Sequence, residues 1–228
     1  MAHAVPAVPV NMDDSDTYAE QAASVLRRAI LTGELKPGAK LRIRDLHKSY
    51  GIGATPLREG MSRLVADGLI QFVGGKGFRV VQASEADLRD IILVRKLIEL
   101  EALRLAISRG DDEWEAGIIA SLHRLVKASA PVNDHWEGAA GLDMVHKRFH
   151  TALIEACGSP RMLEMHSQLY DQAYRYRRVI LTSPRRTIAI DEHKELAELA
   201  IARKVKAACK LLDRHLSHTL KMAYGVTD

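Results

Sequence analysis

Apolar positions recur at spacings of three and four from Thr17 to Thr32, where Ala22, Val25, Leu26, Ala29 and Ile30 share one face and Gly33 follows as a stop, which predicts a helix. The stretch Gly33 to Gly38 (Gly-Glu-Leu-Lys-Pro-Gly) is turn chemistry. A short helix is expected from Arg42 to Tyr50, with Ile43, Leu46 and Tyr50 together, then a tight turn at Gly51-Ile52-Gly53 and a second helix from Ala54 to Asp67. Pro56 is compatible with that helix, because the N–H groups of a first turn have no intrahelical partner to lose. Its apolar stripe is Leu57, Met61, Leu64 and Val65, and Gly68 closes it. Two short apolar runs, Leu69 to Val73 and Phe78 to Val81, read as strands of a hairpin with Gly74-Gly75-Lys76-Gly77 as a flexible tip. Helix, short helix, tight turn, helix and hairpin in that order is the layout of a winged helix-turn-helix.

From Ser84 onward the hairpin signals stop. Helices are expected at Ser84–Arg109, Asp111–Ala130, Gly138–Ala156, Pro160–Leu181, Arg186–Ala202 and Val205–Tyr224, enough to form an antiparallel bundle with its own core. The chain is therefore expected to be mainly α, with domains at 17–83 and 84–228. Residues 1–16 have no period and read as a flexible arm.

Composition narrows the classes. The 228 residues are 47% hydrophobic and 27% charged, which excludes disorder as the main state. No apolar run approaches a membrane span, and residues 1–16 carry three acids with no Lys or Arg, unlike a basic-headed signal peptide; a cytoplasmic protein is expected. Cys157 and Cys209 lack CxxC spacing and read as reduced thiols. The net charge of +4 is unevenly placed: residues 17–83 hold 11 Lys+Arg against 5 Asp+Glu, a net of +6, residues 84–228 hold +1 and the first 16 residues hold −3. Positive charge gathered in the segment with the helix-turn-helix layout suits a phosphate-neutralising surface.

With Leu57, Met61, Leu64 and Val65 buried, helical geometry turns Thr55, Glu59 and Ser62 outward and puts Arg58 on the flank of the first turn. Such side chains can reach base edges and phosphates if this helix enters a major groove. Arg44 and Lys76 are placed to hold the flanking backbone.

Ile30-Leu31-Thr32-Gly33-Glu34-Leu35-Lys36-Pro37-Gly38, Thr55-Pro56-Leu57-Arg58-Glu59 and Asp67-Gly68-Leu69-Ile70 resemble the DNA-binding domain of the GntR family of bacterial transcription regulators. The bundle resembles the FadR-type (FCD) ligand-binding domain through Arg95-Lys96-Leu97-Ile98-Glu99, Phe149-His150, Glu192-His193 and Arg214-His215-Leu216. The resemblance implies DNA contacts at Arg44, Thr55, Arg58 and the wing residues Gly74, Gly75 and Lys76. One departure is clear. Gly53 and Ala54 stand where the family usually has a polar residue and then an arginine, removing an N-cap side chain at a cost of a few tenths of a kcal/mol and a long group for reading DNA.

His146 and His150 lie four residues apart on one predicted helix, a spacing that suits bidentate metal ligation but also arises by chance among ten histidines. The resemblance adds His193 and His215: His150, His193 and His215 fall where metal-binding FadR-type proteins place three histidines, and His146 replaces the usual Asp. Such a site is nitrogen-rich and favours Zn²⁺, with Ni²⁺ as the alternative, over Mn²⁺. Asp143 is a candidate acceptor that would orient an imidazole. A metal with open positions suits a small organic acid whose far end pairs with a guanidinium. The resemblance points to Arg95, which Glu99 could instead neutralise in a structural pair, and Arg175 belongs to a run, Tyr170 to Arg178, that supplies further donors or simply faces solvent.

The leading expectation is a homodimeric regulator, a repressor released from pseudo-palindromic operator DNA by a small carboxylate, since one winged helix reads too short a site alone. A metal-dependent hydrolase and a metal-responsive sensor compete for the same histidines. Against the hydrolase, the sequence shows no HExxH and no nucleophile or phosphate-loop motif.

Overall fold

The computed structural model describes residues 17–129, 136–180 and 190–225, with side chains described outside 136–140 and 177–180. It divides the chain into two compact units, Met1–Ala83 and Ser84–Asp228. The expected arm at 1–16 and the first four residues of the helix expected at Arg186–Ala202 lie outside the described residues.

In the first unit, α1 (Tyr18–Leu31) begins with a capping box: the Glu20 N–H donates to Thr17 Oγ1 at 3.2 Å, and the Thr17 N–H donates to Glu20 Oε2 at 2.8 Å. Helix α2 (Ile43–Tyr50) ends on Gly51 at φ +69°, a conformation that costs glycine little. Helix α3 (Ala54–Ala66) starts at Gly53 without a side-chain cap, as the missing polar residue implied. Leu26, Leu57, Met61, Leu64 and Leu69 are fully buried between these helices and the sheet, each burial contributing about 1.5–3 kcal/mol at most.

Two details differ from the pattern-based expectation. Val65 is only half-buried, and Gly60 lies on the seat instead: a Cβ there would come within 2.8 Å of Ala23 N and 3.0 Å of Ala22 Cβ, so α3 meets α1 backbone to backbone. The hairpin strands, β2 (Ile70–Val73) and β3 (Gly77–Val80), are joined by a third, β1 (Lys40–Leu41), in the antiparallel order β1-β3-β2. Two residues carry no readable period. Lys40 pairs with Arg79 and Leu41 with Phe78, covering what would otherwise be the open edge of β3.

The second unit is helical: α4 (Glu85–Arg109), α5 (Asp112–Ser129), α6 (Trp136–Ile154), a 3₁₀ turn at Glu155–Cys157, α7 (Pro160–Ile180), α8 (Ile190–Ile201) and α9 (Val205–Tyr224). Ser84 caps α4 by accepting the Asp87 N–H at 3.2 Å. Helix α4 packs against α7 and α9, and α5 against α6. Ala102, Ala106, Ala200 and Ala208 let the helices approach closely around Phe149, Leu153, Leu196 and Leu212. The indole of Trp114 pins α5 to α6 by donating to the Ala152 carbonyl at 2.9 Å. Cys157 and Cys209 are both free thiols. Among the described residues no helix is long and apolar enough to cross a membrane.

Candidate functional site

In the first unit, Thr55, Arg58, Glu59 and Ser62 all lie exposed on α3, opposite the buried Leu57, Met61 and Leu64. The Ser62 hydroxyl donates to the Arg58 carbonyl at 3.0 Å, which ties that side chain to its own helix. Arg44 on α2 has an 88% exposed side chain and only a loose 3.5 Å contact with Asp45. At the hairpin tip the Lys76 N–H closes a turn onto the Val73 carbonyl at 2.9 Å, with Gly75 at φ +69°. Gly74, Gly75 and Lys76 are exposed, and no atom lies within 4 Å of where a Cβ would stand on either glycine, so another molecule can approach the wing backbone closely.

The second unit brings all four histidines together. Helix α6 supplies His146 and His150, α8 supplies His193 and α9 supplies His215. One ring nitrogen from each lies within 4.8 Å of the other three, and His146, His150 and His193 are buried. The Nε2 atom of His146 sits 2.7 Å from His193 Nε2 and 3.1 Å from His150 Nε2. Ligand nitrogens around tetrahedral Zn²⁺ stand roughly 3.3 Å apart, so the donor set fits a borderline divalent ion once the wider separations, up to 4.8 Å, contract around it. Burial, and after it the neighbouring imidazoles, holds His150 well below its ordinary pKa, in the neutral form that offers a lone pair.

Two partners orient these rings, and sequence reasoning identified neither in that role. Glu192 accepts from His215 Nδ1 at 2.9 Å, and this bond holds its carboxyl below the usual carboxylate range. That leaves His215 Nε2 to face the cluster. The Tyr170 hydroxyl lies 2.6 Å from His146 Nδ1. Both pairs span more than twenty residues, a separation that helical spacing cannot reveal. Asp143, the acceptor expected from sequence, lies half-buried one turn before His146. His218 is exposed on α9.

Behind Tyr170 lies a buried ionic group. Arg95 and Glu99 are 5% and 1% exposed and form a two-point pair, with the guanidinium carbon 5.3 Å from the Tyr170 ring centroid. His166, fully buried, places Nδ1 3.1 Å from Glu99 Oε1 but outside hydrogen-bond geometry. Burial would raise the Glu99 pKa; the neighbouring Arg95 guanidinium, with His166 beside it, outweighs it and brings it down to about 2. Tyr170, Tyr174, Arg175 and Tyr176 are all buried, so this part of the run does not face solvent. Arg175 lies 3.4 Å from Asp87 Oδ2, to which Tyr176 also donates, and the Tyr176 oxygen accepts the Ser84 N–H at 3.1 Å.

Comparison with known proteins supplies the frame for these groups. The model of bacterial regulatory proteins of the gntR family matches residues 18–80, and the FCD domain model matches residues 90–218. The HTH-type transcriptional repressor GlaR of Escherichia coli (strain K12) is 39% identical over 204 residues, 84% of this chain and 89% of that protein. The uncharacterized HTH-type transcriptional regulator BphR of Paraburkholderia xenovorans (strain LB400) is 34% identical over 225 residues, 95% of this chain and 89% of that one. Among solved structures, E. coli McbR/YncC superposes with a TM-score of 0.76 at 22% identity, covering 92% of this chain and 98% of the other. A putative transcriptional regulator GntR from Rhodococcus sp. RHA1 gives 0.74 at 21%, covering 92% and 99%; at these identities the likeness concerns the fold. These relatives and families are regulators, not enzymes, which sets the hydrolase aside. With both models matching in order along one chain and close relatives spanning most of it, the protein is a GntR-family transcription regulator in which an FCD domain follows the DNA-binding helix-turn-helix domain.

Proposed function

We propose that this regulator is a cytoplasmic homodimeric repressor that leaves a pseudo-palindromic operator when a small carboxylate binds at a metal centre in the domain spanning 84–228. The observation that carries the reading is the convergence of four imidazoles from three helices on one buried point. The name of the E. coli relative, a transcriptional repressor, supports the sign of regulation.

In this reading the domain spanning 17–83 docks α3 in the major groove. Arg58 and Thr55 reach base edges or phosphates, Arg44 holds the adjacent backbone, and the wing at Gly74, Gly75 and Lys76 follows the neighbouring groove. With no side chain on Gly53 and no N–H on Pro56, the free amides of the α3 first turn, at Ala54 and Thr55, suit a phosphate oxygen.

His146, His150, His193 and His215 would hold the ion, with Zn²⁺ favoured and Ni²⁺ second by the all-nitrogen donor set. A bound divalent ion would supply a Lewis-acid position for a carboxylate oxygen. Arg95 would anchor the far end of the acid: its pair with Glu99 engages two of five N–H groups and leaves the others to a second acceptor. Arg175 is the second anchor, a guanidinium buried on α7 beside Asp87.

A thermal-shift series of small mono- and dicarboxylates on Zn²⁺-loaded protein tests the reading, because a ligand of the folded state raises its melting temperature. A hit should also release operator DNA in a mobility-shift assay. Release by metal addition or removal alone, with no response to any acid, would favour the metal sensor.

A further inference from the structure

The metal reading above requires His146 to turn a lone pair, not an N–H, toward the cluster. A neutral imidazole carries its proton on one nitrogen only, so the group facing the other nitrogen decides which is which. His146 is 2% exposed and both its nitrogens are engaged: Nε2 by His193 and His150, and Nδ1 by the Tyr170 hydroxyl at 2.6 Å. Tyr170 is itself 4% exposed. Its ring has the Arg95 guanidinium 5.3 Å and the Lys147 ammonium 5.8 Å from its centroid, and Lys147 is fastened to Asp171 at 2.6 Å. The phenol therefore has little freedom to swing away.

We propose that Tyr170 is a positioning residue for the metal centre: once an ion takes the Nε2 lone pair, its hydroxyl accepts the His146 Nδ1–H and so steadies the ring in the metal-binding tautomer with Nε2 toward the cluster. The chemistry differs from that at His215. There Glu192 can only accept while ionised, so His215 Nδ1 carries a proton whatever else is bound. A hydroxyl can donate or accept. Without an ion, the 2.7 Å contact between His146 and His193 needs one proton between its two nitrogens, and Tyr170 can donate to Nδ1 if His146 Nε2 carries it. With an ion, that proton must leave Nε2, and the same hydroxyl turns to accept from Nδ1. Tyr170 thus satisfies His146 in both states.

The inference rests on the proposed metal centre, and Co²⁺ titration of the full chain separates the two. The parent protein should give the intense visible absorption of tetrahedral Co²⁺; no binding would overturn the metal centre itself, and this inference with it. Tyr170→Phe keeps the ring and loses the hydroxyl, and should bind Co²⁺ about 10–100-fold more weakly, the usual loss when a group orienting a metal-bound histidine is removed. In a His146→Asp background, where a carboxylate has no tautomer to fix, the same Tyr170→Phe change should alter affinity less than about twofold. Equal losses in both backgrounds would mean that the hydroxyl only supports packing, and no loss in the parent background would overturn the role while leaving the metal centre standing. Should Tyr170→Phe fold poorly, ¹⁵N-histidine NMR of the Zn²⁺-loaded parent decides: His146 should show a protonated Nδ1, and an unprotonated Nδ1 would overturn the proposal.

Discussion

Arg95 meets Glu99 at two points, Nε to Oε1 at 2.6 Å and Nη2 to Oε2 at 3.3 Å, one helical turn apart on α4 with both side chains out of water. The Glu99 carboxyl, at about 2, lies below its ordinary 4.5. A group whose pKa is depressed on folding adds stability in full above its unfolded value and loses it as pH falls toward the folded one. Melts between pH 7 and 2 should therefore show stability lost progressively below about pH 4.5. Glu99→Gln should flatten that part of the profile and, by stranding a buried guanidinium, cost about 3–5 kcal/mol at pH 7. An acid limb unchanged by the substitution would place the proton uptake elsewhere.

On the DNA side, Arg58→Ala and Arg44→Ala should each weaken operator binding by about 1–3 kcal/mol if they read bases, or lower the salt slope by about one if they neutralise phosphates. Lys76→Ala should have the smaller effect, its contact being purely electrostatic. Mobility shifts at several salt concentrations distinguish these outcomes; two variants indistinguishable from the parent would refute the docking.

Purified protein should carry about one equivalent of Zn²⁺ or Ni²⁺ per chain, and His193→Ala or His215→Ala should remove most of it. Elemental analysis measures both. His193→Ala should still bind DNA yet ignore the acid. His146→Asp should keep a metal but shift preference toward oxygen-favouring ions, and Glu192→Gln should weaken metal binding by about 10–100-fold by loosening His215.

Light scattering should return twice the chain mass of 25.3 kDa at micromolar concentration. A 25.3 kDa species bound to DNA as a single copy would contradict the dimer.

Helix α3 was legible because it carries a periodic stripe: Leu57, Met61 and Leu64 are buried as spaced, and Thr55, Arg58, Glu59 and Ser62 face out. The four histidines could be named from one i, i+4 pair and a family resemblance, and the fold brings them to one point. What was hidden depends on partners far along the chain. Strand β1 exists because β3 offers an edge; Glu192 and Tyr170 meet the cluster only through helix packing; and whether Arg175 is a buried donor or faces solvent is decided by the packing around α7, which buries it. The end of α6 was overestimated because Glu155–Cys157 keeps helical spacing while tightening to a 3₁₀ turn that stops at Gly158, φ +72°.

The bare contact of Gly60 with Ala22 and Ala23 has a consequence for how such a regulator changes its target. Because the seat of α3 on α1 is made at this point by main chain and small side chains, and none of Thr55, Arg58, Glu59 or Ser62 takes part in it, those outward positions can be exchanged without repacking the domain. Under the proposed docking, operator preference and foldedness are therefore separable properties, and a library randomised at the four outward positions should stay folded throughout while a single methyl at Gly60 does not leave the domain intact.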